Sequence, residues 1–505
     1  MRTLPRLAFL VGAGLALLAT ASARETWITA RTAHFEMFSN ASESESREML
    51  NKLEQYRAAV LALCSFPQFH DTKTTIVLFA TGRQFDACRP LLEGKPASAA
   101  ACVIGDADET LVATSADHNP EQTDQIIFQE YLQRMITAGG EEPPLWLSEG
   151  LAELFSTFRI EGDSFILGAG KPAPAGTSGR LQWMPQDQLF ALTRESPEYH
   201  GEVFHAESWA LIHFMICSKD SAVYLPRLRR FNELLAASDG TIDRIFQEAF
   251  SMSYEEMTRN VDRYLQGDHS FAQRGKLILG DLSARIEFKP AGDFAREVAL
   301  NDLRWRLQAP GNAADQLRQS SESHPAEPRP HEILAALALK GGDRNSAFNH
   351  WRCAAEAGSD NPEVYLQLAA DALDHLMIGL SLDYRMPGDQ AATLRRWLDQ
   401  AIALSPRDLE AYEKLAMVEA FSEWPRFDVV NRVQAVVPKM RDKTRAWFAI
   451  AVLRWRMGDD VAARQIAKSL LATPKLSARL RFLTQRLNWR LNSTKTSGVP
   501  AEGPP

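Results

Sequence analysis

Four side chains in one stretch have the types and spacing to do chemistry together. The stretch is 126-IIFQEYLQRMITAGGEEPPLWLSEGLAELFSTF-158. Gln129 and Gln133 stand at i and i+4, which puts both on one face of a helix, with Glu130 beside them. Glu149 follows nineteen residues after Glu130, inside W-L-S-E-G-L-A-E, and Glu153 lies one turn further on. A carboxylate in such a cluster can act as general base or hold a cation. A glutamine offers a neutral amide oxygen, better suited to hard cations such as calcium than to zinc. Residues 101–150 carry ten acidic side chains and only Arg134 as a base, which attracts a cation or forms an acidic surface loop.

Two helices must position this cluster, over 121–138 and 145–158, separated by the breaker GGEEPP. Ahead of them, 27-WITARTAHFEMFSN-40 reads as short strands. A helix follows, with apolar Leu50, Leu53, Tyr56 and Val60, and then the β-branched strand TTIVLFA (74–80). GRQFDACRPLLEG reads as a short helix. AACVIG and ETLVATSA read as two strands joined by a DAD turn, FRIEGDSFILGAG as a hairpin and KPAPAGTSGR as a loop. From Val203 to about Gln266 the pattern is helical. The opening strands with HFEMFSN, LWLSEGLAELF, FHAESWALIHFMI and FQEAFSMSYEEMTRNVDRYL together resemble the peptidase-MA-like, gluzincin metallopeptidase-like domains. The resemblance covers about residues 25–268.

In that family H-E-x-x-H supplies two zinc ligands and a general base, and a glutamate on the next helix supplies the third ligand. The resemblance therefore implies Gln129, Gln133 and Glu149 at ligand positions and Glu130 at the general-base position. Both histidines are replaced, and H-E-x-x-H occurs nowhere in the chain. Without zinc, bound water loses the fall in pKa from about 15.7 to about 7. Glu130 acting alone is worth about 100- to 10,000-fold, against the roughly millionfold that enzymes supply. No metal or other cofactor is expected, and Glu130 reads as vestigial. A relocated site of Glu130, Glu149 and His205 is the alternative, with His200 and His213 nearby. Trp146, Trp183 and Trp209 could line a cleft or fill the core, and Trp146 joins Gln129, Gln133 and Glu149 as a candidate binding residue.

After about residue 270 strand signals vanish. Gly342, Ala347, Trp351 and Ala354 are echoed by Gly458, Ala463 and Ala467, and Leu394, Leu398, Ala401 and Pro406 fall on the same grid. This resembles the tetratricopeptide repeat, a helix–turn–helix whose small residues let paired helices pack closely. An irregular helical array is the alternative. Inserts such as HLMIGLSLDYRMPGD break the spacing, and 491–505 is expected to be disordered.

The N-terminus has a positive Arg2/Arg6 region, an apolar Leu7–Leu18 run and an Ala21-Ser22-Ala23 cleavage site, the pattern of a signal peptide over residues 1–23. The remaining chain is expected to be periplasmic or secreted and to contain no transmembrane segment. Five cysteines allow one bridge between Cys88 and Cys102, or small buried thiols. The 505 residues are 45% hydrophobic and 24% charged, so disorder is excluded. The net charge of -8 argues against a nucleic-acid partner. Residues 401–505 are basic, with 18 Lys/Arg against 10 Asp/Glu, and Arg479, Arg481, Arg486 and Arg490 share one expected helix. That helix offers a solvated face or a surface for an acidic partner or membrane.

The expected architecture is an α+β gluzincin-like domain (24–268) with a small sheet plus helices, followed by an all-α tetratricopeptide-like array (269–490). The expected function is a catalytically inactive peptidase-like scaffold that binds a peptide or protein partner through its cleft and array. Two alternatives are an active metallopeptidase with non-standard ligands and a repeat-dominated interaction protein with a purely structural front domain.

Overall fold

A computed structural model describes residues 26–493 apart from 65–72, 90, 93–94, 97–98, 106–108, 138–142, 163, 170–180, 182, 238–240, 268–271, 277–285, 407, 441 and 474–475. The expected signal peptide, the 171–180 loop, the DAD turn and most of the expected disordered tail lie outside the described residues.

The strands are β1 (Ile28–Arg31), β2 (Phe35–Ser39), β3 (Lys73–Phe79), β4 (Leu91–Leu92), β5 (Lys95–Pro96), β6 (Ala101–Gly105), β7 (Glu109–Ser115), β8 (Arg159–Glu161), β9 (Ser164–Leu167), β10 (Gln273–Lys276) and β11 (Phe288–Pro290). The front helices are α1 (Glu43–Leu63), α2 (Gly82–Asp86), α3 (Pro120–Thr137), α4 (Leu145–Phe155), α5 (Gln186–Ala191), α6 (Glu202–Cys217), α7 (Ser221–Ala237), α8 (Ile242–Phe250) and α9 (Tyr254–Leu265). A 3-10 turn, Pro197–His200, precedes α6.

Six strands form one sheet in the order β11-β1-β2-β3-β7-β6. Its centre is parallel: Ile76 faces Val112 across β3 and β7, and Met37 faces Ile76 across β2 and β3. Strand side chains alternate between faces. Met37, Ile76, Leu78 and Val112 pack in one core with Leu50, Leu53 and Tyr56 of α1 and Ile127 and Phe128 of α3. Phe38, Val77, Phe79, Leu111 and Ala113 enter a second core with Phe85 of α2. Both faces are covered, which is why TTIVLF reads as a continuous apolar run.

The second core also contains Leu303 and Leu307. They lie on and just after α10 (Asp293–Arg306), beyond the expected boundary at 268. Nor do strands end there. β10 pairs with β9, with Gln273 opposite Leu167, and β11 pairs with β1, with Lys289 opposite Thr29. The front unit therefore recruits chain to about residue 307. Charge joins the two parts as well. Glu109, at the start of β7, accepts from Arg306 at 2.7 Å and from Arg329; Asp302 pairs with Arg306 at 2.7 Å and Arg329 at 3.0 Å. These carboxylates are buried, so each guanidinium offsets a desolvation cost that would otherwise be several kcal/mol per ion.

The rest is helical: α11 (Ala313–Ser323), α12 (Pro328–Lys340), α13 (Arg344–Glu356), α14 (Pro362–Gly379), α15 (Gly388–Leu404), α16 (Leu409–Phe421), α17 (Val429–Val436), α18 (Thr444–Arg456), α19 (Asp460–Leu471) and α20 (Ala478–Ser493). Two hairpins, α12–α13 and α18–α19, turn in the same way. Gly342 and Gly458 take left-handed φ of 79° and 82°, a conformation that favours glycine. Asp343 and Asp459 then cap the next helix through the amides of Ser346 and Ala462. Ala347, Ala354, Ala463 and Ala467 are buried where the paired helices meet. The basic terminal helix is largely committed within the fold. Arg479 donates to the Leu380 carbonyl, Arg481 to the carbonyls of Leu471 and Thr473, and Arg490 pairs with Asp383. Helix α20 runs to Ser493, so 491–493 are ordered rather than part of a disordered tail. No helix among the described residues is long and apolar enough to cross a membrane.

Candidate functional site

Helices α3 and α4 bring the sequence candidates together. Gln129, Glu130 and Gln133 are half-buried on α3, and Glu149 is buried on α4. Position 150 sets how closely α4 meets α6. A Cβ on Gly150 would lie 2.4 Å from the Ser208 carbonyl oxygen, so only glycine permits this approach.

Both oxygens of Glu149 are hydrogen-bonded. Its Oε2 accepts from Gln133 Nε2 at 2.9 Å. Its Oε1 accepts from the Tyr199 hydroxyl at 2.8 Å and from Arg194 Nη1 at 3.1 Å. Arg194 Nη1 also reaches the Tyr199 oxygen at 2.7 Å. Since a carboxylate only accepts, the Gln133 amide must present its NH2 group here, not its oxygen. The side chain of Glu149 is 3% exposed and that of Arg194 is 37% exposed, so the carboxylate is buried while its guanidinium partner reaches solvent.

Glu130 stands next to this pair. Burial pushes its carboxyl above the usual range; Arg134 and Arg194 pull it down, and Glu149 pushes it up. One turn along α4, Glu153 lies 3.1 Å from His205 Nδ1. That contact raises the His205 imidazole above its ordinary value, against burial. His205 therefore pairs with Glu153, and the expected alternative set of Glu130, Glu149 and His205 is not gathered as ligands.

Zinc, which the resemblance implies, does not fit these residues. The two nitrogen donors are absent, Gln133 turns a donor toward Glu149, and both Glu149 oxygens are taken. Among the described residues no group of three or more His, Cys, Asp or Glu side chains could hold a metal ion. The arrangement binds one carboxylate with a guanidinium, a phenol and an amide. No step through a metal follows from it.

Other candidates lie elsewhere. Trp146 is fully buried, with ring centroids 5.7 Å from Phe231 and 6.3 Å from Phe190 and Phe246. It fills the core and lines no open cleft, because its neighbours on α5, α7 and α8 enclose it. Trp183 donates to Asp262 at 2.9 Å, and Trp209 stacks on His213 at 4.4 Å. His213 bonds Gly168 O at 3.0 Å and Tyr264 OH at 2.8 Å, a structural role. Cys88 and Cys102 share one apolar cluster and are unbridged. Sequence reasoning missed Arg194 and Tyr199. They stand 45 and 50 residues from Glu149, in the segment TRESPEYH, which has no periodicity to mark it.

A second buried carboxyl sits one layer behind. Glu207 on α6 accepts from Met184 N at 2.9 Å and from the Tyr254 hydroxyl. Burial raises its pKa to about 7. Between the unfolded value of about 4.3 and about 7, the folded state holds a proton that the unfolded state has lost. Stability therefore falls as pH rises through that window. Glu207→Gln can still accept from Met184 N through its amide oxygen and donate from its NH2 to the Tyr254 oxygen, and it removes the titration. Its stability relative to wild type should rise by about 3 kcal/mol between pH 4.5 and 8. Urea unfolding at both pH values checks this, and a pH-independent difference would refute it.

Compared with models of known protein families and with curated proteins, the chain matches none.

Proposed function

We propose that the chain is an exported, catalytically inactive peptidase-like protein that holds a peptide or protein segment at the α3–α4 site and on its helical array. The engagement of both Glu149 oxygens by Arg194, Tyr199 and Gln133 carries this reading. The carboxylate at the third-ligand position is bound by the protein's own cation, so a metal has no seat and Glu130 has no activated water to serve. The pattern of residues 1–23 supports export. The matched α12–α13 and α18–α19 hairpins support a tetratricopeptide-like array, whose stacked helix pairs offer an extended binding surface.

The test uses the full chain after residue 23, a random-peptide library and added zinc. Mass spectrometry should find no cleavage above the Glu130→Gln variant. Peptides retained by the wild type should bind Gln129→Trp at least about tenfold more weakly, since an indole at that half-buried position obstructs the site. Cleavage lost on Glu130→Gln would establish a hydrolase instead. Peptides that bind Gln129→Trp unchanged would move recognition to the helical array.

A further inference from the structure

The basic end of the helical array gathers positive charge that the fold does not neutralise. Arg385 lies between α14 and α15, Arg456 ends α18, and Arg479, Arg486 and Arg490 stand on α20. Asp383 is the carboxylate they share. Arg490 binds it at 2.7 Å, and that bond holds the Asp383 carboxyl below its usual range, with Arg385 and Arg486 adding to the effect against burial. Among the described residues Arg385, Arg456, Arg479 and Arg486 form no ion pair. Arg385 donates to the carbonyls of Leu382 and Tyr384, Arg456 to those of Ala420 and Ser422, and Arg479 to that of Leu380. A carbonyl satisfies an N–H but leaves the guanidinium charge uncompensated. Burial and the nearby Arg385 charge both lower the Arg456 pKa, the second by like-charge repulsion.

Aromatic rings interleave with these cations. Phe482 is 46% exposed between Arg479 and Arg486, whose Cζ atoms lie 5.9 and 5.6 Å from its ring centroid. Phe482, Arg486 and Trp489 recur at i, i+4 and i+7, on the exposed face of α20 opposite the buried Leu483, Leu487 and Leu491. Trp424 extends the set. Its ring is 73% exposed, while its backbone is fixed: Arg456 donates to the carbonyls of Ser422 and Glu423 just before it, at 2.5 and 3.2 Å, and Arg395 to its own carbonyl at 2.7 Å.

We propose that this end of the array, through Arg385, Arg456, Arg486, Phe482, Trp489 and Trp424, docks on an anionic phospholipid surface. Arginine beside tryptophan and phenylalanine suits the headgroup layer, where the ring sits at the boundary and the cation meets phosphate. A ring as exposed as Trp424 projects from the protein, fit to enter a soft layer rather than to line a groove around a peptide. Charge supplies the orientation. Residues 401–505 carry 18 Lys/Arg against 10 Asp/Glu, while the whole chain stands at -8, so an extended anionic sheet draws this end in and pushes the rest away. The contact is peripheral, since no helix among the described residues is long and apolar enough to cross a membrane. It is independent of the Glu149 site and does not rest on the pseudopeptidase reading.

The experiment uses the full chain after residue 23 in co-sedimentation with vesicles of phosphatidylcholine, with and without about 30% phosphatidylglycerol. The protein should bind the anionic vesicles only, and release as salt rises from about 0.1 to about 0.5 M. Arg385→Gln and Arg486→Gln should each weaken binding about fivefold, and together about thirtyfold. Both side chains are exposed, so the variants should fold, and circular dichroism confirms it. Arg83→Gln, an exposed arginine on α2, should change nothing. Brominated lipid should quench part of the tryptophan emission, and Trp424→Phe/Trp489→Phe should lose that part. Absence of binding to anionic vesicles at low salt overturns the proposal. So does an equal loss on Arg83→Gln, which would reduce the effect to net charge, or quenching that the double tryptophan variant leaves unchanged. Retention on immobilised polyglutamate without binding to vesicles would assign the surface to an acidic polypeptide and overturn it as well.

Discussion

Gly150→Ala is expected to destabilise the protein by about 2 kcal/mol, and Gly150→Val to give no folded protein. A methyl group at this position meets the Ser208 carbonyl oxygen at 2.4 Å and Ile212 Cγ1 at 2.7 Å. Ile212 can turn, but the Ser208 oxygen belongs to the backbone of α6. The helices must separate, and overpacking of this kind costs about 1–3 kcal/mol or more. Alanine's better helix propensity returns only about 1 kcal/mol. Gly379→Ala is the control: nothing lies within 4 Å of a Cβ there, so the substitution should be neutral or slightly stabilising. Urea unfolding of both variants checks the pair, and a Gly150→Ala protein as stable as wild type would refute the close-approach argument. The effect reaches the site, because Glu149 precedes Gly150 and owes its alignment with Tyr199 to the α4–α6 distance. Any widening moves a buried carboxylate off its donors.

What sequence conveys here follows the range of the interaction. Strand β3 is plain in T-T-I-V-L-F because both its faces are buried, and α3 and α4 are plain because their apolar positions recur at helical spacing. Gln129, Glu130, Gln133 and Glu149 are picked out by their spacing together with the family resemblance, and the fold does bring them to adjacent helices. Strands β10 and β11 are invisible in sequence: Q-R-G-K and F-K-P have no alternation, and each lies at a sheet edge where one partner suffices. The part of α10 in covering the sheet is equally hidden, since Leu303 and Leu307 look like any apolar helical face. Glu109 reads as the polar start of a strand until Arg306 and Arg329 arrive from 197 and 220 residues away. Arg194 and Tyr199 belong to the same class. They act by meeting Glu149 in space, and no local pattern encodes that meeting. Trp146 errs the other way, because a tryptophan beside a candidate site suggests a cleft wall, while three phenylalanines from three helices make it core.

Placing histidines at 129 and 133 should not by itself create a tight zinc site. Gln129→His/Gln133→His supplies two good nitrogen donors and removes the Gln133 bond to Glu149, but Arg194 and Tyr199 still hold that carboxylate. Zinc must displace a guanidinium from a side chain that is 3% exposed. Breaking a buried ion pair costs about 3–5 kcal/mol, and the 37% exposure of Arg194 brings the figure nearer 3. That is roughly a hundredfold in affinity. Adding Arg194→Ala should therefore tighten zinc binding about a hundredfold over the double variant. Its metal-free form should be the less stable of the two, since Glu149 is left buried with only Tyr199 as donor, and zinc should restore the loss. Both quantities are measurable by chelator competition and urea unfolding. Equal zinc affinity in the double and triple variants would show that Arg194 is no obstacle. A hundredfold difference would identify the guanidinium as the cation that keeps a metal off the Glu149 carboxylate.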